Sequence, residues 1–524
     1  MDQAVTPAQP ADEPSLSILN EGSGAIELVF GFVGPTGVDL SKVCESLSAQ
    51  LKTVGYQTRT VTLSELIMPF MRTPKHFQSE YERIDSLMTE GTNLRRDTKQ
   101  ADIIGRLGLA KIRQLRQEMS GDAHKPPSEG VAYIVRSFKR PEEVQLFRDV
   151  YGKAFTLISV YAPREIRKRN LAAKFQSTTA EVGSTAEELA VRLIARDFAE
   201  DGRLGQKVSG AFPLADFFIT SGTRAQLDAN LLRLVRLTFG DQYISPNRDE
   251  QGMFFAQAAA LRSLDLSRQV GAAITTADGD VLSTGCNEVP KFGGGLYWEG
   301  DEGVARDMEL GFDSNATIKN ELVKDALQRM KHQGWLRPGL SARSVDDLTS
   351  EALNGDDAFF RESRLFDVIE FGRAVHAEMA AITQASRHGT ALEGAKLYCT
   401  TFPCHICARH IVASGIKEVV FVEPYEKSRT DQLYGDSISV EPPEPSPKRA
   451  NFRSFVGVAP RRYMDYFSMS SNRKGVDGKI LGAKDIASAP RIKRFVRTYL
   501  MVEIKMINDT VQPPQQQLIE GDPQ

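Results

Sequence analysis

Hydrophobic and polar positions in the first part of the chain alternate between short apolar runs and longer amphipathic stretches. Short, continuously apolar runs are typical of strands buried on both faces. A helical pattern from Leu40 to Val54 follows the first of these runs. Such alternation predicts a parallel α/β domain over residues 24–243. The predicted strands are 25–31 (AIELVFG), 131–136 (VAYIVR), 155–161 (FTLISVY) and 215–220 (ADFFIT).

A second pattern begins near residue 245. Residues 251–264 predict a helix with few breakers. Residues 270–285 predict a hairpin, because two β-rich runs flank an Asp-Gly turn. These elements open a second α/β domain over 244–506. Its later predicted elements are helix 376–388, strand 397–401, helix 404–414 and strand 418–423.

Two segments interrupt the second domain. Residues 291–372 are too long for a plain connection, so this insertion is expected to form a lid or a subunit contact. The sequence leaves these two alternatives open. The proline-rich stretch 440–452 predicts an exposed loop. Residues 1–23 and 507–524 have the composition of disordered tails.

Composition narrows the class of protein. A chain of 524 residues, 41% apolar and 25% charged, predicts two large globular domains. The net charge of −3 argues against a nucleic-acid coat protein. No apolar run is long enough to span a membrane, and the start lacks a signal-peptide pattern. Five cysteines, an odd number, favour the cytoplasm over a disulfide framework.

Two short motifs contain the candidate chemistry. His376 and Glu378 form an H-x-E motif, and Cys404 and Cys407 form a P-C-x-x-C motif with Pro403. Together they match the signature of zinc deaminases. Three protein ligands leave the fourth position of a tetrahedral zinc open for water. We therefore expect one catalytic Zn²⁺ per chain, held by His376, Cys404 and Cys407.

Glu378 is the candidate proton carrier beside this metal. A fourth protein ligand would close the site, so its carboxylate is expected to move protons from water to the substrate. Alternative interpretations of the C-x-x-C are a redox pair or half of a structural zinc knuckle. A redox pair does not explain the H-x-E motif, and the other cysteines are not spaced as a second pair.

Residues 246–425 resemble the deoxycytidylate deaminases of the cytidine deaminase superfamily. The resemblance implies a cytidine-deaminase-like three-layer α/β/α domain. It also implies that Asn287 contacts the sugar of a nucleotide and that the backbone at Ala377 faces the cytosine carbonyl. The matching segments are SRQVGAAITTADGDVLSTGCNEVP, VHAEMAAI and LYCTTFPCHICARHIVASGIKEVVFVEPY.

Residues 25–505 resemble a narrower group, the bacterial anti-phage dCTP deaminases with an N-terminal P-loop kinase-like domain. The resemblance extends to YWEGDEGVARD at 297–307 and GVAPRRY at 457–463. It implies that dCTP and dCMP are substrates, and that the dC nucleotide pool is depleted during phage replication. It further implies a homo-oligomer and a regulatory RNA or protein inhibitor. Candidate substrate contacts within the resembling motifs are Arg268, Tyr425, Lys427, Arg461 and Arg462.

The glycines Gly31, Gly34 and Gly37 lie where a phosphate loop would lie, between the first strand and the first helix. A working P-loop requires G-x-x-x-x-G-K-[ST]. Val38 and Asp39 occupy the positions of the lysine and the hydroxyl. The first domain is therefore expected to be a degenerate kinase-like fold. Its glycines provide either a tight turn or part of a nucleotide-sensing module.

Two other functions remain open at this stage. The same zinc motif serves nucleic-acid cytosine deaminases and tRNA adenosine deaminases. Such an editor needs a basic, aromatic-lined channel, and the acidic balance of this chain weighs against one. The third hypothesis is a regulatory protein whose deaminase domain reports nucleotide levels.

Overall fold

The structure, a computed structural model, describes residues 26–510 with internal gaps. The gaps are 73–76, 177–184, 199, 201–203, 356–357, 364–367, 425–427, 443, 470–471, 482–489 and 492–497. The tail predicted at 1–23 lies outside the described residues. In the other predicted tail, 507–524, the first two residues form the end of an α-helix. The first unit comprises Met1–Ser245 with Val456–Gln524, and the second unit comprises Pro246–Phe455.

A parallel sheet forms the centre of the first unit. Its strands are β1 Leu28–Val33, β2 Gln57–Thr62, β3 Val131–Arg136, β4 Phe155–Tyr161 and β5 Phe217–Thr220. β1 lies between β3 and β4, with β2 beyond β3 and β5 beyond β4. Every residue of β1 is buried, as its apolar run predicts. β2 was not predicted, because an edge strand of sequence QTRTVT buries only Val61.

In the described part of the chain, seven α-helices connect these strands, and an eighth follows β5. They are α1 Leu40–Thr53, α2 Glu80–Thr98, α3 Ile103–Ser120, α4 Pro141–Tyr151, α5 Arg164–Gln176, α6 Ala186–Phe198, α7 Val208–Ala211 and α8 Arg224–Thr238. Short 3-10 helices cover Leu63–Phe70, Gly152–Ala154 and Phe212–Leu214. Asp39 caps α1 by accepting from the backbone N–H of Lys42. The parallel α/β character predicted for 24–243 is confirmed.

The second unit contains a mixed sheet. Its strands are β6 Gly271–Thr275, β7 Val281–Cys286, β8 Lys396–Thr401, β9 Glu418–Glu423, β10 Ile438–Val440 and β11 Ala450–Ser454. β6 pairs antiparallel with both β7 and β8, so the predicted hairpin is confirmed. β8, β9, β11 and β10 then run parallel in that spatial order. The stretch predicted as a loop at 440–452 thus contains the start of a strand.

Helices cover both faces of this sheet. The described α-helices of this unit are α9 Arg248–Ala260, α10 Asp307–Leu310, α11 Ser314–His332, α12 Pro338–Ser341, α13 Val345–Asn354, α14 Ala377–Arg387, α15 His405–Ala413 and α16 Thr430–Tyr434, with a 3-10 helix at Phe359–Glu362. Of these, α9 and α14 pack against β6 and β7. Leu397 and Cys399 pack into one core with α14 and α15. Tyr398, which points to the opposite face, lies against Gly252 of α9. The arrangement is three layers.

The insertion has a small core of its own. Val323 and Leu327 of α11 pack against Leu348, Ala352 and Leu353 of α13. These five residues are buried, and the insertion therefore holds defined helices instead of an extended loop. No described helix of the chain is both long and apolar enough to cross a membrane.

The C-terminal segment completes the first unit. Its elements are β12 Gly457–Val458, α17 Pro460–Phe467 and α18 Thr498–Asn508. β12 pairs antiparallel with β5 at Val458 and Phe217. This differs from the boundary expected at residue 506, because residues 456–510 belong with the N-terminal part of the chain.

Buried charges attach α18 to the first unit. Arg116 of α3, which is fully buried, donates to Glu27 at 3.0 Å and to Glu503 of α18 at 2.6 Å. Tyr133 donates to Glu27 and Tyr151 to Glu503. A buried ion pair is costly to break, since the remaining charge has no water to solvate it. The burial of Glu503 on α18 is therefore explained by partners that lie far from it in the sequence.

Candidate active site

Three candidate metal ligands meet at the starts of two helices. His376 precedes α14 as its N-cap, Cys404 is the N-cap of α15, and Cys407 lies in the first turn of α15. His376 Nδ1 is 3.3 Å from Cys404 Sγ and 3.4 Å from Cys407 Sγ. All three ligand atoms lie within 4.8 Å of one another. Among the described residues this is the one cluster with such a donor set.

The donor set fits zinc. Zinc takes thiolate and imidazole ligands at about 2.3 and 2.0 Å, so tetrahedral geometry separates nitrogen from sulfur by about 3.5 Å. The two nitrogen–sulfur distances, 3.3 and 3.4 Å, are close to that value. Hydrogen bonds from Cys407 and His376 lower the pKa of Cys404, which favours the thiolate that a metal requires.

Close packing and hydrogen bonds fix the positions of the N-termini of α14 and α15, where the candidate ligands lie. Gly285 of β7 lies under the first turn of α14, where an added Cβ would come 2.3 Å from the carbonyl oxygen of Ala377. Only glycine permits that approach. On the other side of the site, Ser428 and Thr430 donate to the carbonyl of Pro403 at 3.1 and 3.3 Å. These contacts hold the backbone before Cys404.

Glu378 lies in the first turn of α14, directly beside the ligands. Its carboxyl is 4% exposed, and the Cys407 thiol donates to its Oε2 at 3.5 Å. Burial raises the pKa of Glu378 above its usual range, with the charge on Cys404 adding to the effect. A carboxylate with a raised pKa is a stronger proton acceptor than an exposed one, which suits a group that moves protons.

A cavity of about 360 Å³ opens onto this cluster. His376, Glu378 and Cys404 line its base. The insertion and the chain that follows it supply another wall, which no motif predicted. The residues of that wall include Asp307, Asp313, Asn315, Lys319 and Arg373.

The wall carries both signs of charge. Arg373 pairs with Asp307 at 2.9 Å and also donates to the carbonyl of Ala305. Sequence signals for both were present, since Asp307 ends the segment YWEGDEGVARD and Arg373 lies three residues before His376. What the sequence could not show is that the two positions, 66 apart in the chain, lie against each other.

Three of the candidate substrate residues line the cavity, namely Arg268, Asn287 and Ala377. The Arg268 guanidinium is 3.3 Å from the Glu423 carboxylate, to which Thr401 also donates. Asn287 accepts from the backbone N–H of Val270 and donates to the carbonyl of Arg268. Asn287 thus holds the segment that presents Arg268.

The remaining candidates lie elsewhere. Tyr425 and Lys427 fall outside the described residues. Arg461 and Arg462 belong to the first unit, not to the unit that contains His376. There Arg461 donates to the carbonyl of Leu214 and pairs with Asp216, and Arg462 lies over the ring of Tyr466. These are contacts within the first unit, and a substrate contact by either arginine stays a prediction.

The candidate glycine loop is divided between a strand and a turn. Gly31 lies inside β1, where an added Cβ would come within 2.8 Å of Phe138 and Phe155, so its role is packing and not loop formation. Gly34 and Gly37 follow the strand, and both line a different cavity in the first unit. Gly37 has a φ of 97°, which favours glycine.

Comparisons with known proteins agree with the site. Residues 246–423 match the family described as the cytidine and deoxycytidylate deaminase zinc-binding region. The deoxycytidylate deaminase of Enterobacteria phage T4 is 47% identical over 55 residues, which are 10% of this chain and 28% of the phage protein. The deoxycytidylate deaminase of Pongo abelii is 30% identical over 100 residues, which are 18% of this chain and 49% of that protein.

These matches span less than half the length of the curated relatives. A crystal structure of dCMP deaminase from the cyanophage S-TIM5 matches 41% of this chain and 100% of its own chain, at 15% identity and a TM-score of 0.23. Residues 246–423 of the second unit are thus similar to the cytidine and deoxycytidylate deaminase zinc-binding region and to deoxycytidylate deaminases. The same match and the His376, Cys404 and Cys407 cluster identify the metal as Zn²⁺.

Proposed function

We propose that this protein is a hydrolase that deaminates deoxycytidine nucleotides and releases ammonia. One observation carries the proposal: His376, Cys404 and the buried carboxyl of Glu378 line one cavity, and Cys407 lies within ligand distance of His376 and Cys404. That cavity, at about 360 Å³, is within the usual range for sites that bind small molecules. The relatives named as deoxycytidylate deaminases support dCMP as a substrate.

The residues divide the chemistry between them. Zinc held by His376, Cys404 and Cys407 would lower the pKa of a water molecule toward about 7. Glu378 accepts the proton of the attacking water and transfers it to N3 of the cytosine ring. The water oxygen bonds to C4, and the same carboxyl moves the remaining proton of that oxygen to the amine, so that the C4–N bond breaks and ammonia leaves. Water is consumed, ammonia is released, and the ring becomes uracil.

Positive charge on the cavity wall supports a phosphorylated substrate. Arg268 and Arg373 line the cavity together with Lys319. Arginine has five N–H donors, so the ion pairs of Arg268 and Arg373 leave donors for a phosphate oxygen. The expectation that Asn287 contacts the sugar rests on the resemblance to deoxycytidylate deaminases.

The finer assignments rest on the resemblance to anti-phage deaminases alone. They are the use of dCTP, depletion of the dC nucleotide pool during phage replication, a kinase-like regulatory fold for the first unit, and a homo-oligomer in the cytoplasm. We retain each as part of the proposal. A regulatory RNA or protein inhibitor belongs to the same group of expectations.

A substrate panel on the purified full-length protein tests the function. The panel contains dCMP, dCTP, deoxycytidine, CMP, CTP and a single-stranded oligonucleotide, with uracil product and ammonia measured. We expect turnover of dCMP or dCTP, its loss after chelation of zinc, and recovery when Zn²⁺ is added back. Turnover of the oligonucleotide alone would contradict the proposal, and so would full activity in metal-free protein.

A further inference from the structure

One polar side chain in the wall of the catalytic cavity comes from the insertion. Asn315 lies in the first turn of α11 and lines the same space as His376 and Glu378. Asp313, the N-cap of α11, accepts from the backbone N–H of Asn315 at 2.8 Å. The Asn315 side chain donates through Nδ2 to the carbonyl of Val368 at 3.3 Å. The backbone and the side chain of Asn315 are therefore both held by hydrogen bonds.

The oxygen of the same amide has no partner. Asn315 Oδ1 is buried and accepts no hydrogen bond from the described residues. Because Nδ2 faces a carbonyl, exchanging the two ends of the amide would bring two oxygens together. A buried acceptor without a donor is unfavourable and rare in proteins. The χ2 torsion of asparagine is broad, so a small rotation brings this oxygen to a ligand in the cavity.

Neighbouring side-chain acceptors of the cavity are already used. Asp307 is ion-paired, and Asp313 accepts from two backbone N–H groups. Asn287 Oδ1 accepts from the backbone N–H of Val270 at 2.7 Å. Of the buried side-chain nitrogen and oxygen atoms along this cavity in the described part of the chain, Asn315 Oδ1 is the one without a partner. The wall is therefore complementary to a substrate that brings a hydrogen-bond donor.

A deoxycytidine nucleotide, the substrate on which this inference rests, has two kinds of donor. Its ring atoms O2 and N3 and its ionised phosphate oxygens accept hydrogen bonds, whereas the 4-amino group and the 3′-hydroxyl donate. The amino group must lie beside Glu378 and the metal ligands, because it leaves C4 there. The 3′-hydroxyl is the donor that remains for Asn315.

We propose that Asn315 Oδ1 accepts a hydrogen bond from the 3′-hydroxyl of the substrate and so selects nucleotides whose 3′ oxygen is free. Inside a nucleic-acid strand that oxygen is esterified and has no hydrogen to donate. A cytosine within a strand therefore leaves the Asn315 oxygen without a donor. A site built to bind a hydroxyl rejects an analogue that lacks it. The insertion thereby distinguishes free nucleotides from nucleic acid.

Steady-state kinetics on the purified full-length protein tests this contact with dCMP, dCTP and their 2′,3′-dideoxy analogues. For the unmodified protein, kcat/KM should fall about tenfold when the 3′-hydroxyl is removed, because a buried acceptor loses its donor. In Asn315→Ala, each nucleotide and its dideoxy analogue should have nearly equal kcat/KM. Asn320→Ala is the matched control, because Asn320 is an exposed asparagine of the same helix, and it should keep the preference. A purely structural role of Asn315 would lower kcat/KM for both members of a pair alike.

The outcomes separate this inference from the proposed function. Turnover of dCMP or dCTP without a preference over the dideoxy analogue would overturn the 3′-hydroxyl contact and leave the proposed function standing. A preference that persists in Asn315→Ala would overturn the role of Asn315. Absence of turnover with every cytosine nucleotide would overturn both. If circular dichroism shows that Asn315→Ala does not fold, Asn315→Leu, which is closer in size to asparagine, takes its place with the same expected loss of preference.

Discussion

The two cavities are similar in volume, about 360 and 340 Å³, but differ in how their polar groups are used. In the second unit, His376, Glu378 and Cys404 converge on one point where a metal and a reacting atom fit. In the first unit, Lys139 and the loop amide of Thr36 are already occupied by Asp197. A helix start beside a strand end therefore does not define a reactive site. What matters is which polar atoms the protein itself leaves unsatisfied.

The largest expected effect is on chemistry in the second unit. Glu378→Gln keeps the shape of the side chain but removes proton transfer, so kcat should fall by about 10²–10⁴. Bound zinc, measured by elemental analysis, should stay at the level of the unmodified protein. Glu393→Gln, an exposed glutamate of the same unit, is the control and should retain full turnover. Activity of Glu378→Gln within tenfold of normal would remove Glu378 from the mechanism.

The next effect is on stability in the first unit. Arg116→Met leaves the buried carboxylates of Glu27 and Glu503 without their cation, so the free energy of unfolding should fall by about 3–5 kcal/mol. Denaturant titration followed by circular dichroism measures this change. Lys111→Met on the same helix is the control, since Lys111 donates an exposed hydrogen bond to Gln114. Equal stability of both variants would show that the buried cluster does not hold α18 in place.

The smallest expected effect is on substrate affinity. Arg373→Ala removes a cation from the wall of the catalytic cavity, so KM for dCMP should rise about tenfold with kcat little changed. Deoxycytidine, which lacks the phosphate, serves as the internal control. Similar changes in KM for both substrates would indicate that Arg373 shapes the cavity through Asp307 and does not contact the phosphate.

Much of the second unit could be predicted from local patterns. The hairpin is confirmed at β6 and β7, and the predicted strand 418–423 is β9. Strand β2 was missed because an edge strand with one buried residue has little apolar pattern. Polar positions of the insertion gave no periodicity that would direct Asp307 and Arg373 to the same wall.

In the first unit, contacts between segments that are remote in sequence decide more of the structure than local patterns do. Apolar runs predicted four of its strands, yet the edge strand β12 and the buried carboxylate of Glu503 come from beyond residue 455. Arg116 and Glu503 are 387 residues apart in the chain. A charged residue in an amphipathic helix normally predicts a solvated face, so no local rule distinguishes these two from surface residues.

The amino-acid sequence by itself indicated the candidate zinc ligands, the candidate proton carrier and the order of most helices and strands. These follow from short-range rules, because ligand types, spacing and periodicity act within a few residues. Tertiary structure alone decided which unit residues 456–510 join, which charges surround the catalytic cavity, and that Asn315 lies in the wall of that cavity. Those outcomes depend on packing between segments remote in the chain, and burial there changes the free energy of each polar atom.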